Sequence, residues 1–268
     1  ILLSNTKDIY RKRSGTSREV ASGNYAVMYG NPKYYLSYDD RQVDDQLRSA
    51  GFNTTVATLP GTQKEIEELT TLLAANGWEI EDYLELKAQE DSVKKMMSPR
   101  VFHIATHGFF TPTEEFQERA GLKASEEFNN PLLRCGLMLS GAGDLLDKTA
   151  YNYNLEPGIL TAYEAMNLNL DATDLVVLSA CETGLGDVQI GEGVFGLQRA
   201  FMVAGAKNLV MSLFKVSDEA TQKLMVKFYE KWINTGNMRQ AFIDAKKEIR
   251  NEFKDPLYWG SFIMMGME

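Results

Sequence analysis

The chain has 268 residues, 44% hydrophobic and 24% charged, which fits one large domain or a domain with a modest extension and excludes disorder, collagen and coiled coil. Lys and Arg number 28 against 37 Asp and Glu, a net charge of −9, so direct binding of nucleic acid is not expected. No apolar run reaches about 18 residues and Ile1-Leu2-Leu3 is too short for a signal-peptide core, so no membrane association is expected and the cytosol is the expected compartment.

Residues 1–22 mix basic and small polar residues without an apolar period and read as a linker or N-terminal extension to a domain over 23–268. The first residue is Ile, so the chain is expected to be an excerpt or a processed piece of something longer. Tyr25-Ala26-Val27-Met28-Tyr29 predicts a buried strand closed by the turn residues Gly30-Asn31-Pro32. Thr62 and Glu65 have capping-box spacing, and Ile66, Leu69, Leu72 and Leu73 give the helix behind them an apolar face that Asn76-Gly77 ends. A short strand near 78–83, a helix near 89–97 and a strand over 101–106 follow, the last running into His107-Gly108. Residues 109–158 read as a long, mostly polar insertion with one hairpin around 135–140. That much irregular chain inside a domain usually serves function.

In the C-terminal half a short helix over 161–168 precedes the apolar strand 175–180, a glycine-rich turn and a helix over about 193–204. A strand over 209–213, a helix capped by Ser217 with Asp218 and Glu219 in its first turn, a helix capped by Asn237 and a last strand over 262–265 complete the chain. Short, continuously apolar strands alternating with helices predict an α/β fold with a mainly parallel sheet covered on both faces.

In such sheets, sites form where the carboxyl ends of strands meet loops and helix N-termini. Two predicted strands end in a reactive residue, one in His107-Gly108 and the other in Cys181-Glu182-Thr183-Gly184. If those strands are neighbours, an imidazole faces a thiol. A thiol needs a base or a positive field to act as a nucleophile at neutral pH, and a histidine supplies either. The amides of Gly108 and Cys181 are then the natural donors to a developing oxyanion. Alone, a strand-end Cys or His is more often packing than chemistry. It is the corresponding placement of both, each followed closely by glycine, that favours a dyad.

Other patterns carry less. His103 and His107 have the spacing of helical zinc ligands, but along a strand they stand about 13 Å apart, so His103 is expected to be a packed or hydrogen-bonded residue and no metal is expected. Gly191-Glu192-Gly193-Val194-Phe195-Gly196 is a literal G-x-G-x-x-G, but ten residues separate it from its strand. Its glycines suit close helix packing better than a nucleotide. Cys135 sits in an apolar run with no histidine left for it and reads as core.

Three segments together resemble a known family: His103-Ile-Ala-Thr-His107-Gly108, Leu178-Ser-Ala-Cys181-Glu-Thr-Gly184-Leu-Gly186, and the run Gly191-Glu-Gly-Val-Phe-Gly-Leu-Gln-Arg-Ala-Phe-Met-Val-Ala-Gly205-Ala. They look like the CHAT domain, a caspase-like cysteine peptidase family related to separase. The resemblance extends from about residue 24 to 266. It implies a caspase-like three-layer α/β/α sandwich with about six strands, and hydrolysis of a peptide bond by the dyad His107 and Cys181 with no cofactor. The same resemblance implies a protein substrate and a regulatory helical-repeat or sensor module in the same or another chain. Phe214 stands where many members carry a tryptophan beside the substrate groove. Ser179 stands where basic-specific relatives carry an acidic pocket residue, leaving Glu182, Asp187 or Glu192 to supply charge. A catalytically silent interaction scaffold on the same fold is the competing expectation. A nucleotide-binding α/β protein would rest only on the glycine motif.

Overall fold

A strand in which every residue is buried needs cover on both faces, and Val101–Ala105 is such a strand. A computed structural model describes residues 23–36, 56–110, 130–146, 158–179, 192–213 and 217–266. The extension expected over 1–22 lies outside them. The strands are β1 (Tyr25–Pro32), β2 (Glu79–Glu85), β3 (Val101–Ala105), β4 (Gly108–Phe110), β5 (Cys135–Met138), β6 (Ile159–Thr161), β7 (Leu175–Leu178), β8 (Asn208–Ser212) and β9 (Phe262–Gly266). The helices are α1 (Pro60–Ala75), α2 (Glu90–Lys95), α3 (Ala142–Leu146), α4 (Ala162–Ala165), α5 (Glu192–Ala204), α6 (Asp218–Thr235), α7 (Met238–Glu252) and α8 (Leu257–Gly260).

Six strands form one sheet in the order β2-β1-β3-β7-β8-β9, parallel throughout except for β9 against β8. Alternation along the strands assigns the two faces. Ala26, Met28, Val101, Ala105, Leu175, Val177 and Val210 pack with Ile66, Leu69 and Leu73 of α1, Leu224 and Phe228 of α6, and Phe242 and Ile249 of α7. Val27, Phe102, Ile104, Val176 and Leu178 point the other way, onto Ala200 and Phe201 of α5 and onto β5. The result is the expected α/β/α sandwich with a mainly parallel six-stranded sheet.

Three sequence expectations are corrected. β1 runs through Gly30-Asn31-Pro32 instead of stopping before it, with a register shift against β2 between Gly30 and Pro32. A Cβ at Gly30 would stand 2.5 Å from Ile66 Cγ1 and 2.9 Å from the Thr62 carbonyl, so glycine lets α1 lie close on the strand. Second, α1 starts at Pro60, where the missing N–H costs nothing, and Thr62 is inside the helix with its hydroxyl donating to Leu59 C=O. No capping box forms with Glu65. Third, the expected hairpin around 135–140 is instead one strand, β5, held between β4 and β6 in a three-stranded antiparallel sheet. Cys135, Leu137 and Leu139 of this region belong to the main core. Ser217 is at the N-cap of α6, although its side chain makes no capping bond, whereas Asn237 caps α7 by accepting from Gln240 N–H.

The last glycine of the G-x-G-x-x-G run has a packing role: a Cβ at Gly196 would stand 2.5 Å from Cys135 Sγ. Gly196→Ala should therefore lower stability by about 1–3 kcal/mol through overpacking. Adding Cys135→Ala should recover part of that loss, a coupling measurable as non-additivity in a urea-denaturation double-mutant cycle; strict additivity would show that the two do not press on each other.

Candidate active site

The register sets His103 opposite Val177 and Ile104 opposite Leu178, and Ser179 N–H extends the ladder by donating to Ile104 C=O at 2.9 Å. β3 and β7 are therefore adjacent and parallel, and they leave the sheet side by side. His107 is the second residue beyond β3. In sequence Cys181 is the third beyond β7, and with Glu182, Asp187 and Phe214 it lies outside the described residues, as does the side chain of Glu192.

The imidazole of His107 is held from two sides. Its Nε2 is 2.7 Å from the Ala57 carbonyl oxygen. A carbonyl only accepts, so Nε2 carries the proton and Nδ1 is the basic nitrogen of the neutral ring. The ring also packs on Tyr34, with centroids 5.4 Å apart. Tyr34 is buried, and burial pushes its hydroxyl well above the usual tyrosine range, so it keeps its proton. The Tyr34 O–H donates to Thr106 Oγ1 at 2.9 Å, because the Thr106 hydroxyl is itself spent on Met138 C=O. Met138 N–H in turn donates to His107 C=O at 2.8 Å. The backbone on both sides of the imidazole is thus tied to β5.

The same register places Gly108 opposite Leu137. With Met138 N–H bonded to His107 C=O, this is a non-hydrogen-bonded pair, so the Gly108 N–H turns away from β5. That is the orientation an oxyanion donor requires. α1 begins three residues after Ala57, and a Cβ on Gly61 would lie 2.6 Å from Asp218 Cβ in the first turn of α6. The N-termini of two long helices therefore meet on the rim where His107 sits, and their dipoles favour negative charge there.

Beneath the rim lies a polar chain that sequence reasoning missed. Glu65 is 1% exposed, and one carboxylate oxygen is 2.8 Å from His103 Nε2 while the other accepts from the Ser179 hydroxyl at 3.1 Å. His103 Nδ1 is 3.1 Å from the Tyr229 hydroxyl. A carboxylate only accepts, so Nε2–H donates to Glu65, and in the neutral ring Nδ1 accepts from the Tyr229 hydroxyl, which burial, reinforced by the charge of Glu65, pushes well above its ordinary range. His103 is the hydrogen-bonded core residue that was expected. Ser179, expected in the substrate pocket, is 3% exposed with its hydroxyl committed to Glu65. The signal for Glu65 was available: it falls on the apolar stripe with Thr62, Leu69 and Leu73, all buried on α1. Nothing in a sequence marks the Ala57 carbonyl, which is backbone.

Cys135 has a different surrounding. It is buried against α5, and burial pushes its thiol up to about 12, with Arg134 acting weakly in the opposite direction. Among the described residues, no group of three His, Cys, Asp or Glu side chains is arranged to hold a metal, and no helix is long and apolar enough to cross a membrane.

If the Tyr34, Thr106 and Met138 clamp fixes this backbone, Thr106→Val should leave a buried hydroxyl and a buried carbonyl without their partner. The expected loss is about 1–3 kcal/mol, read as a lower urea midpoint at unchanged m-value.

Comparison with known proteins bears on the family and the fold. The CHAT domain family model matches residues 4–267. Mouse tetratricopeptide repeat protein 28 is 30% identical over 259 residues, covering 92% of this chain and 10% of that protein. The human protein of the same name is 30% identical over 116 residues, covering 42% of this chain and 5% of that protein. The chain thus spans only a small part of the curated relatives it matches. Among solved structures, the Arg-specific cysteine proteinase gingipain R aligns with a TM-score of 0.55 at 9% identity, covering 98% of this chain and 51% of that chain. That likeness shows a shared caspase-like fold. With the family model spanning nearly all of its length, the chain belongs to the CHAT domain family and has a cysteine-peptidase-like fold.

Proposed function

We propose that this domain is a cysteine endopeptidase that cleaves a protein substrate with Cys181 as nucleophile and His107 as its acid and base. The observation that carries the proposal is the parallel pairing of β3 with β7, which sends the segments bearing His107 and Cys181 off the same end of neighbouring strands. A second observation narrows the choice of nucleophile. The chain has two cysteines, and burial holds the Cys135 thiol protonated up to about pH 12, so thiolate chemistry at neutral pH falls to Cys181.

In the reaction, the Cys181 thiolate adds to the scissile carbonyl and His107 bears the displaced proton on Nδ1. The tetrahedral oxyanion is met by the N–H groups of Gly108 and Cys181. Collapse breaks the C–N bond while Nδ1–H protonates the leaving amine. Water, deprotonated by the same nitrogen, then hydrolyses the thioester and restores the thiol. The Ala57 carbonyl supports both half-reactions, because it keeps Nε2 as donor and stabilises the imidazolium when it forms.

Phe214 would flank the substrate, and Glu182, Asp187 or Glu192 would supply any acidic contact to it. The repeat proteins among the relatives support control by a helical-repeat module in the same or another chain; the compartment proposed for it is the cytosol. Those relatives also give the competing reading its support, a scaffold that keeps the fold without the chemistry.

Comparing new protein N-termini in a lysate treated with the wild-type protein and with Cys181→Ala decides between them. Cleavage products present with the first and absent with the second are expected, and His107→Ala should slow their appearance by about 10²–10⁴-fold. Identical N-termini from the wild type and Cys181→Ala would leave only the scaffold.

A further inference from the structure

The buried chain Tyr229, His103, Glu65 and Ser179 is not used by the proposed chemistry, yet it ends two residues before the nucleophile. Its endpoints matter. Ser179 lies in the ladder with β3 through its own N–H, so its backbone is fixed, and its hydroxyl is fixed by Glu65. Glu65 projects from α1, the helix whose leading segment presents the Ala57 carbonyl to His107. The segment leading into α1 therefore holds the imidazole through Ala57, and α1 itself holds Ser179, two residues before Cys181 in sequence, through Glu65.

Resting on the peptidase reading above, we infer that Glu65 is a positioning residue: by holding Ser179, it sets the start of the segment that carries Cys181 relative to the Ala57-bound imidazole. Among the described residues of α1, Glu65 bonds β3 and Ser179 at once. Glu65 does this with one carboxylate, an oxygen on each. The two oxygens are geometrically fixed relative to each other, so a shift of the helix moves the contacts to β3 and β7 together. Dyad chemistry depends on such alignment, since a displacement of about 1 Å at a reacting group can cost about 10²-fold in rate.

The test needs no knowledge of the substrate, because iodoacetamide reports directly on the nucleophile. The rate of Cys181 alkylation is followed by mass spectrometry from pH 5 to 9 in the intact protein, with the buried Cys135 as internal reference. Four variants are compared with the wild type: His107→Ala, Ser179→Ala, Glu65→Gln and Tyr229→Phe. The last removes a buried hydroxyl from the far end of the chain without touching Ser179, and serves as the structural control. The expected result is that Ser179→Ala slows Cys181 alkylation at pH 7 by about tenfold and displaces its pH profile toward that of His107→Ala. Tyr229→Phe should stay within about twofold of wild type even where its melting temperature falls as far. Glu65→Gln, which can still accept from Ser179 while turning its amide toward a rotated His103 tautomer, should fall between the two.

A Ser179→Ala protein that melts lower but alkylates like wild type, with the same pH profile, would overturn the inference and leave Glu65 a core residue only. So would a Tyr229→Phe protein as impaired as Ser179→Ala. A His107→Ala profile identical to wild type overturns something else, the dyad itself, so the two failures are distinguishable. Should Ser179→Ala not fold, Glu65→Gln, which preserves volume, decides by the same readout.

Discussion

The structure depends on one ladder. β3 and β7 are distant in sequence, and the chain that separates them builds the small antiparallel sheet of β4, β5 and β6. Parallel pairing of the two strands requires that they exit at the same end, whatever the intervening chain does. Everything at the rim follows from that constraint: His107 on one exit, Ser179 on the other, and the N-termini of α1 and α6 converging above them. An antiparallel pairing would have put the two exits on opposite edges. The hydrogen bonds that matter most to function here are thus ordinary ones between His103, Ile104 and their partners.

On this frame the molecule fixes the histidine unusually well from below and behind. The Ala57 carbonyl selects the tautomer, Tyr34 packs at a tilt against the ring, and Thr106 and Met138 hold the main chain on either side. None of these contacts needs an acidic residue. A carbonyl offers the imidazole what a carboxylate would, an acceptor of fixed direction, with a partial charge and a smaller desolvation penalty. Gly108 is left with its N–H off the ladder because β4 meets β5 in a register where it is the unbonded partner. β5, inside the stretch that reads as an insertion, is the strand against which both His107 and Gly108 are set.

Most of the architecture could be read from the sequence because it rests on periodicity. Uninterrupted apolar runs such as Leu175-Val-Val-Leu178 gave strands buried on two faces, and Asn76-Gly77 and Asn237 marked helix ends where they occur. The errors share one physical cause, that a local rule was outbid by a tertiary partner. Thr62 and Glu65 satisfy the capping-box spacing, but Pro60 starts the helix earlier, and Glu65 finds stronger partners in His103 and Ser179. Gly30-Asn31-Pro32 reads as a turn until neighbouring β2 pairs with it. The run around Cys135 looks like a hairpin because β4 and β6, its true partners, are short and remote. Of the site, His107 and Gly108 could be picked out as residue types at a strand end, and Ser179 only through the family resemblance. Their environment could not, since Ala57 contributes backbone and Tyr34 arrives from the far end of β1.

The buried polar chain poses an energetic question that bears on what the domain is for. Three apolar side chains in place of Glu65, His103 and Ser179 would match the rest of that sheet face, where Val101, Ala105 and Val177 already pack with α1 and α6. They would avoid the desolvation of a carboxylate and an imidazole, a trade that is often neutral or favourable to stability. What they could not provide is direction. Van der Waals contact tolerates sliding of a helix by fractions of an ångström, whereas a carboxylate that must meet Nε2 on one side and a hydroxyl on the other has a narrow range of acceptable positions. A scaffold that only presents its surface gains little from holding α1 in such fixed register with the exits of β3 and β7. A dyad assembled from those two exits, as proposed, would gain its alignment from it.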